Sequence, residues 1–146
     1  MDTDRSKMLT YFAWFISLGA IAGSLFFSQV LKFPPCVLCW YQRIFMYPLA
    51  IIIGVGILRK ESRLYQYVLP MSLIGLGISI YHNLLYYKII PDTLAPCSLG
   101  VSCTTKFIEY FGFITIPLLS FVAFLLVTVF MLMVRKIDNS PKQKTL

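Results

Sequence analysis

Apolar residues run through this chain in four long blocks, at residues 9–31, 36–58, 65–87 and 113–134, with short polar stretches between the first three. A helix of about 20 predominantly apolar residues crosses a hydrocarbon layer of about 30 Å, and each block meets that length. The break at 59–64 is short, so the second and third blocks are antiparallel neighbours. The pattern predicts an all-α integral membrane protein: one domain over residues 1–146, built as a four-transmembrane-helix bundle.

The first block is too long for the apolar part of a signal peptide, and Lys32, Phe33 and Pro34 after it do not resemble a small-residue cleavage site. It is therefore expected to stay as an anchor. Gly19 and Gly23 form a GxxxG pair within it, a spacing that lets another helix approach closely. Gly54, Gly56, Gly75 and Gly77 carry the same expectation of close helix packing, and no phosphate-binding loop pattern surrounds them. Pro48, Pro70 and Pro117 fall within blocks and are expected to kink helices.

Composition sharpens the picture. The 146 residues are 58% hydrophobic and 13% charged, with mean hydropathy +0.77, which leaves no room for a soluble core. The net charge of +7 is unevenly placed. Arg5, Lys7, Arg59, Lys60, Arg63, Arg135, Lys136, Lys142 and Lys144 fall on one face, against Lys32, Lys88 and Lys106 on the other. Lysine and arginine in short loops resist translocation, so both termini are expected to be cytoplasmic. The charge thus reads as a topology signal and a contact with anionic lipid in the bilayer, not as a nucleic-acid footprint. The tail at 138–146 is expected to be disordered.

With that topology all four cysteines lie on the outer face, Cys36 and Cys39 after the first block and Cys97 and Cys103 in the redox loop 88–112. That face is oxidising. Four cysteines allow three connectivities, and the pairing of sequence neighbours is the simplest. A CxxC pair closes a very small ring and gains little loop entropy, so redox chemistry suits it better than stapling. Two other readings stand beside this one: a structural bridge at Cys97 and Cys103, and a four-cysteine zinc site, which an oxidising compartment disfavours. No metal is expected.

Pro34 and Pro35 suit the start of a helix, so the second span should begin near Cys36. Positions 36, 39 and 43 then share one stripe, with Cys39 about 4.5 Å below Cys36 and Arg43 about 6 Å deeper again. Both the helix N-terminus and a guanidinium favour thiolate over thiol. A lipid-soluble quinone is a natural acceptor at that depth, since it takes two electrons as a dithiol gives two. Arg43 either stabilises the reduced ring or snorkels to the headgroups. Trp40, Tyr41 and Phe45 either flank a flat ring or belong to the interfacial aromatic belt. His82 falls at a matching depth on the third span, as a proton carrier or as a buried hydrogen-bonded histidine. Asn83 beside it reads as structural.

The segment PCVLCWYQR, the four spans and the second outer pair in CSLGVSC resemble the disulfide bond formation protein B family, bacterial quinone-linked thiol oxidases, and most of all its short BdbC-type members. The resemblance covers essentially the whole chain. It implies a protein of the bacterial cytoplasmic membrane that supports disulfide formation in exported proteins, with Cys36, Cys39, Cys97 and Cys103 catalytic. Cys97 would form the mixed disulfide with a thioredoxin-fold thiol oxidase outside the membrane, and Cys103 would pass the electrons to Cys36. Cys39 with Arg43 would face the quinone, either menaquinone or ubiquinone, and the depth of His82 makes it the second candidate for that side. The outer pair is separated by only five residues, closer than in longer members. The stretch KFIEYF at 106–111 is expected to lie along the membrane surface. Two alternatives remain at this point: a vitamin K epoxide reductase-like enzyme, in which the quinone-side CxxC follows the loop pair, and a non-enzymatic scaffold with disulfide-stapled loops.

Overall fold

The computed structural model describes residues 2–32, 34–91, 93 and 116–139. Among them every regular element is helical: α1 (Asp2–Leu25), a π-helical segment (Phe26–Val30), α2 (Val37–Arg59), α3 (Tyr65–Tyr86) and α4 (Ile116–Asp138). All four α-helices are long and apolar enough to cross a membrane, α1 together with the π segment. Mean hydropathy is 1.5 to 1.6 for the first three and 2.6 for α4. The expected all-α membrane bundle is therefore present.

α1 packs on α2, α2 on α3, α3 on α4, and α4 back on α1, which closes the four into a ring. Each helix turns one stripe inward. On α2 that stripe is Leu38, Gln42, Met46, Leu49, Ala50, Ile53 and Gly56, stepping by three or four as a helix face requires. Met46, Leu49 and Ile53 meet Val68 and Leu69 of α3 and Phe124, Val127 and Met131 of α4 in one core. Outward positions remain apolar, as at Leu58, which is 83% exposed. Such side chains suit lipid rather than water.

Buried serine and threonine hydroxyls are satisfied within their own helices: Ser17 donates to the Ala13 carbonyl, Ser79 to Gly75 and Thr128 to Phe124. No water is needed to pair them, which is the condition for polar groups in a membrane core. Between helices, Asn83 Nδ2 donates to the Pro117 carbonyl at 2.9 Å and fastens α3 to the start of α4. Pro117 is the second residue of α4, in the first turn, where a missing N–H costs nothing. The kink expected there is not needed.

Lys32, Lys60 and Lys88, each just past the end of a helical segment, have φ of 54°, 53° and 57°. A left-handed residue at this position closes a helix, and the lysine charge complements the exposed carbonyl end.

The glycines divide into two kinds. A Cβ on Gly75 would run into the Phe124 ring, and one on Gly56 into the Leu64 side chain, so these two permit close approach as expected. Gly19 and Gly23 correct the expectation for the GxxxG pair. A Cβ on either meets nothing within 4 Å, because this face of α1 borders a cavity instead of a helix.

Candidate active site

Cys36 caps α2. Following Pro34 and Pro35 it takes an extended conformation, φ −71° and ψ 169°, while its carbonyl accepts the first helical bond from Trp40 N–H at 3.1 Å. One turn on, Cys39 brings its Sγ to 3.1 Å from Cys36 Sγ. That is hydrogen-bond contact between two thiols, about 1 Å longer than a disulfide bond. Cys36 is 7% exposed and packs with Leu38 and Leu85, with Cys39 against the same cluster.

His82, on α3, is 2% exposed. Its Nε2 lies 3.7 Å from Cys36 Sγ, and its Nδ1 lies 3.3 Å from Gln42 Nε2. The imidazole thus stands between the Cys36 thiol and the buried amide that precedes Arg43. Sulfur and nitrogen donor atoms of Cys36, Cys39 and His82 all fall within 4.8 Å of one another.

Arg43 points toward α1. Its Nε donates to Ser24 Oγ at 2.8 Å and its Nη2 to the Ser24 carbonyl at 2.8 Å. The guanidinium also lies 5.6 Å from the centre of the Trp40 ring. Two residues beyond Ser24 the chain enters the π-helical turn, where Leu31 N–H reaches back five residues to the Phe26 carbonyl. Such widened turns are rare and recur at functional sites. Two of the five guanidinium N–H groups are used on Ser24, which leaves donors for a ligand.

Cys36, Cys39, Gln42, Arg43 and His82 border one cavity of about 360 Å³ between the four helices, with α3 contributing His82 and Tyr86. Gly19, Gly23 and Ser24 supply its α1 wall, and Pro117, Leu119 and Phe124 line it from α4. The structure therefore brings together four of the six residues singled out in the sequence. Cys97 and Cys103 lie outside the described residues, as do most of the loop 88–112, the segment 106–111 and most of the tail.

The aromatic residues nearest the motif are not the ones at the cavity. Trp40 and Tyr41 are exposed and Phe45 packs on the core, whereas Phe27, Tyr47, Tyr86 and Phe124 line the space. Tyr47 and Tyr86 stand four residues after Arg43 and His82, one helical turn along the same faces, and that spacing was open to view. Gln42 sits four residues before Met46 on the buried stripe and was likewise accessible to a periodicity argument. Ser24 and Phe27 carried no signal, since their place depends on how α1 and the π turn pack.

A family model described as disulfide bond formation protein DsbB matches residues 6–134. The chain is 46% identical over 127 residues to disulfide bond formation protein C of Bacillus subtilis, which covers 86% of this chain and 91% of that one. It is 47% identical over 117 residues to a probable disulfide formation protein C 2 of Bacillus cereus, covering 80% and 84%. It is 42% identical over 133 residues to a probable disulfide formation protein of Oceanobacillus iheyensis, covering 90% and 92%. No solved structure matches. With a thiol pair seated at the end of a four-helix membrane bundle and a family match over nearly its whole length, the chain belongs to the DsbB family of disulfide bond formation proteins.

Proposed function

We propose that this chain reoxidises a thioredoxin-fold thiol oxidase on the outer face of the bacterial cytoplasmic membrane and passes the electrons to a membrane quinone. The observation that carries the reading is the shared cavity, where a dithiol and an arginine border a space that no side chain of the described residues fills. The open faces of Gly19 and Gly23 fit a flat ring, and the spare N–H groups of Arg43 fit its oxygens. The excess of lysine and arginine on one face supports cytoplasmic termini and outward cysteines.

A partner thiolate attacks the disulfide between Cys97 and Cys103 at Cys97 and releases Cys103 as thiolate. Cys103 attacks Cys36 of the inner disulfide and releases Cys39. The second partner thiol then displaces Cys97, and Cys97 displaces Cys36 from Cys103, which restores the outer disulfide. Two electrons and two protons have moved from the partner to Cys36 and Cys39. A quinone bound in the cavity would supply the two-electron sink, accepting both electrons and both protons as the inner disulfide re-forms. His82, 3.7 Å from Cys36, is placed to carry that sulfur's proton, and Gln42 orients the ring from its other nitrogen. Arg43, held on Ser24, opposes the negative charge that develops on the acceptor.

The test is a purified-protein assay in which a reduced thioredoxin-fold dithiol is supplied with and without a quinone analogue. Catalytic oxidation of the dithiol that requires quinone supports the reading. Two disulfides that stay inert in its presence would leave a stapled scaffold.

A further inference from the structure

We propose that the reduced inner pair, together with His82, forms a binding site for a thiophilic divalent cation of the zinc and cadmium class, which holds the centre in its dithiol state and stops turnover. The inference rests on the redox reading only in requiring that Cys36 and Cys39 can be reduced. It differs from the four-cysteine site considered from the sequence, because the third donor is an imidazole from α3 and the outer pair takes no part.

Geometry is the first support. The two Sγ atoms are 3.1 Å apart, Cys36 Sγ and His82 Nε2 are 3.7 Å apart, and all three donors lie within 4.8 Å of one another. Tetrahedral zinc with its usual bond lengths needs about 3.8 Å between sulfurs and about 3.5 Å between sulfur and nitrogen. Opening the sulfurs from 3.1 Å by about 0.7 Å and drawing Cys39 toward His82, from at most 4.8 Å to about 3.5 Å, bring the set to that shape, and a rotation of the Cys39 side chain supplies both movements.

The surroundings of His82 are the second support. A histidine that ligates through one ring nitrogen almost always has its other nitrogen hydrogen-bonded, which fixes the ring and raises its basicity. Gln42 occupies that position at 3.3 Å from Nδ1. With a cation on Nε2 the ring proton sits on Nδ1, and the Gln42 amide, turned over, offers its carbonyl to it. Both residues are buried, so the imidazole is held for the sulfurs and does not sample solvent.

Charge and oxidation state make the site conditional. Binding converts two thiols to thiolates, releases two protons to solvent and moves no electrons, so the metal and its two sulfur ligands sum to neutral. In the disulfide form neither sulfur carries the charge a cation needs. Binding therefore selects the reduced centre, and three protein donors leave a fourth position for water.

The experiment uses the full-length chain in detergent with Cys97→Ser and Cys103→Ser, so that the inner pair supplies the only thiols. After reduction and anaerobic removal of the reductant, cadmium is titrated and the ultraviolet thiolate-to-metal band and the bound metal per chain are measured. One cadmium per chain is expected in the dithiol state and none after the same polypeptide is oxidised to the disulfide. His82→Gln on this background is expected to weaken binding by about tenfold or more. No cadmium on the dithiol form, or equal cadmium on both forms, would overturn the proposal. An unchanged affinity in His82→Gln would overturn the three-donor site. The dithiol and disulfide comparison involves a single polypeptide, so it does not depend on a variant's folding. Neither quinone nor partner is present, so failure here leaves the electron-transfer reading standing, and failure of the quinone assay leaves this one standing.

Discussion

Arg43 is anchored to Ser24 twice, by Nε on the hydroxyl and by Nη2 on the carbonyl, each at 2.8 Å. The pair ties α2 to α1 just before the π turn and sets where the guanidinium faces the cavity. Ser24→Ala removes the hydroxyl and leaves the carbonyl. A hydrogen bond to a charged group contributes about 1.5 to 3 kcal/mol, and the surviving contact keeps the loss near the lower figure. Steady-state kinetics should show the KM for quinone analogue rising about tenfold while the rate of partner exchange stays unchanged. An equal loss of quinone reduction and of partner exchange would mean that Ser24 supports the bundle as a whole.

Two glycine substitutions should behave in opposite ways. Gly23→Leu enters open space, so the thermal midpoint should hold or rise, since glycine in a helix interior costs about 1 kcal/mol relative to better helix formers. The same change should block quinone-dependent turnover. Gly75→Ala instead drives a methyl into Phe124 and should destabilise by about 1 to 3 kcal/mol, read as a lowered midpoint in detergent. A Gly23→Leu protein with unimpaired quinone turnover would remove the α1 wall from the acceptor site.

The bundle was legible because hydropathy reports contact with lipid, and four lipid-facing stretches of sufficient length leave few alternatives. Helix ends were less legible. α1 begins at Asp2, well before the apolar block at Leu9, because Asp4, Arg5 and Lys7 continue a helix perfectly well in water. α4 likewise runs on to Asp138, with Arg135 and Lys136 complementing its carbonyl end. The stripe of Cys36, Cys39 and Arg43 followed from helical spacing alone, and the structure puts all three on one cavity. What spacing could not supply was the identity of the opposite wall. A GxxxG pair looks the same in sequence whether it faces a helix or a void, and only the packing of α1 decides between them.

Topology is checked by labelling. In a cysteine-free background, a single cysteine placed in the 59–64 loop and Cys97 restored alone are each exposed to a membrane-impermeant thiol reagent on intact cells. Only Cys97 should react. Reaction of the loop and not of Cys97 would reverse the orientation drawn from the lysine and arginine distribution.

The order of exchange predicts a trapped intermediate. Cys103→Ser removes the resolving thiol of the outer pair, so a covalent adduct between Cys97 and the partner should accumulate when the partner's own resolving cysteine is also replaced. Peptide mass spectrometry locates the bond. An adduct at Cys36 would overturn the proposed route.

The most direct measurement of the central claim, that Arg43 and the inner pair face a quinone in the cavity, is quinone-dependent partner oxidation by wild type, Arg43→Ala and Arg43→Lys at matched folding. Losing a charge-assisted interaction of about 1.5 to 3 kcal/mol corresponds to roughly a ten- to hundredfold loss of quinone affinity or turnover in Arg43→Ala. Arg43→Lys should recover part of it, since a point charge cannot reproduce the planar fork of donors. The first exchange at Cys97 should proceed at the wild-type rate in all three. Unchanged quinone affinity and turnover in Arg43→Ala would contradict the account and make the arginine a clamp on Ser24 alone.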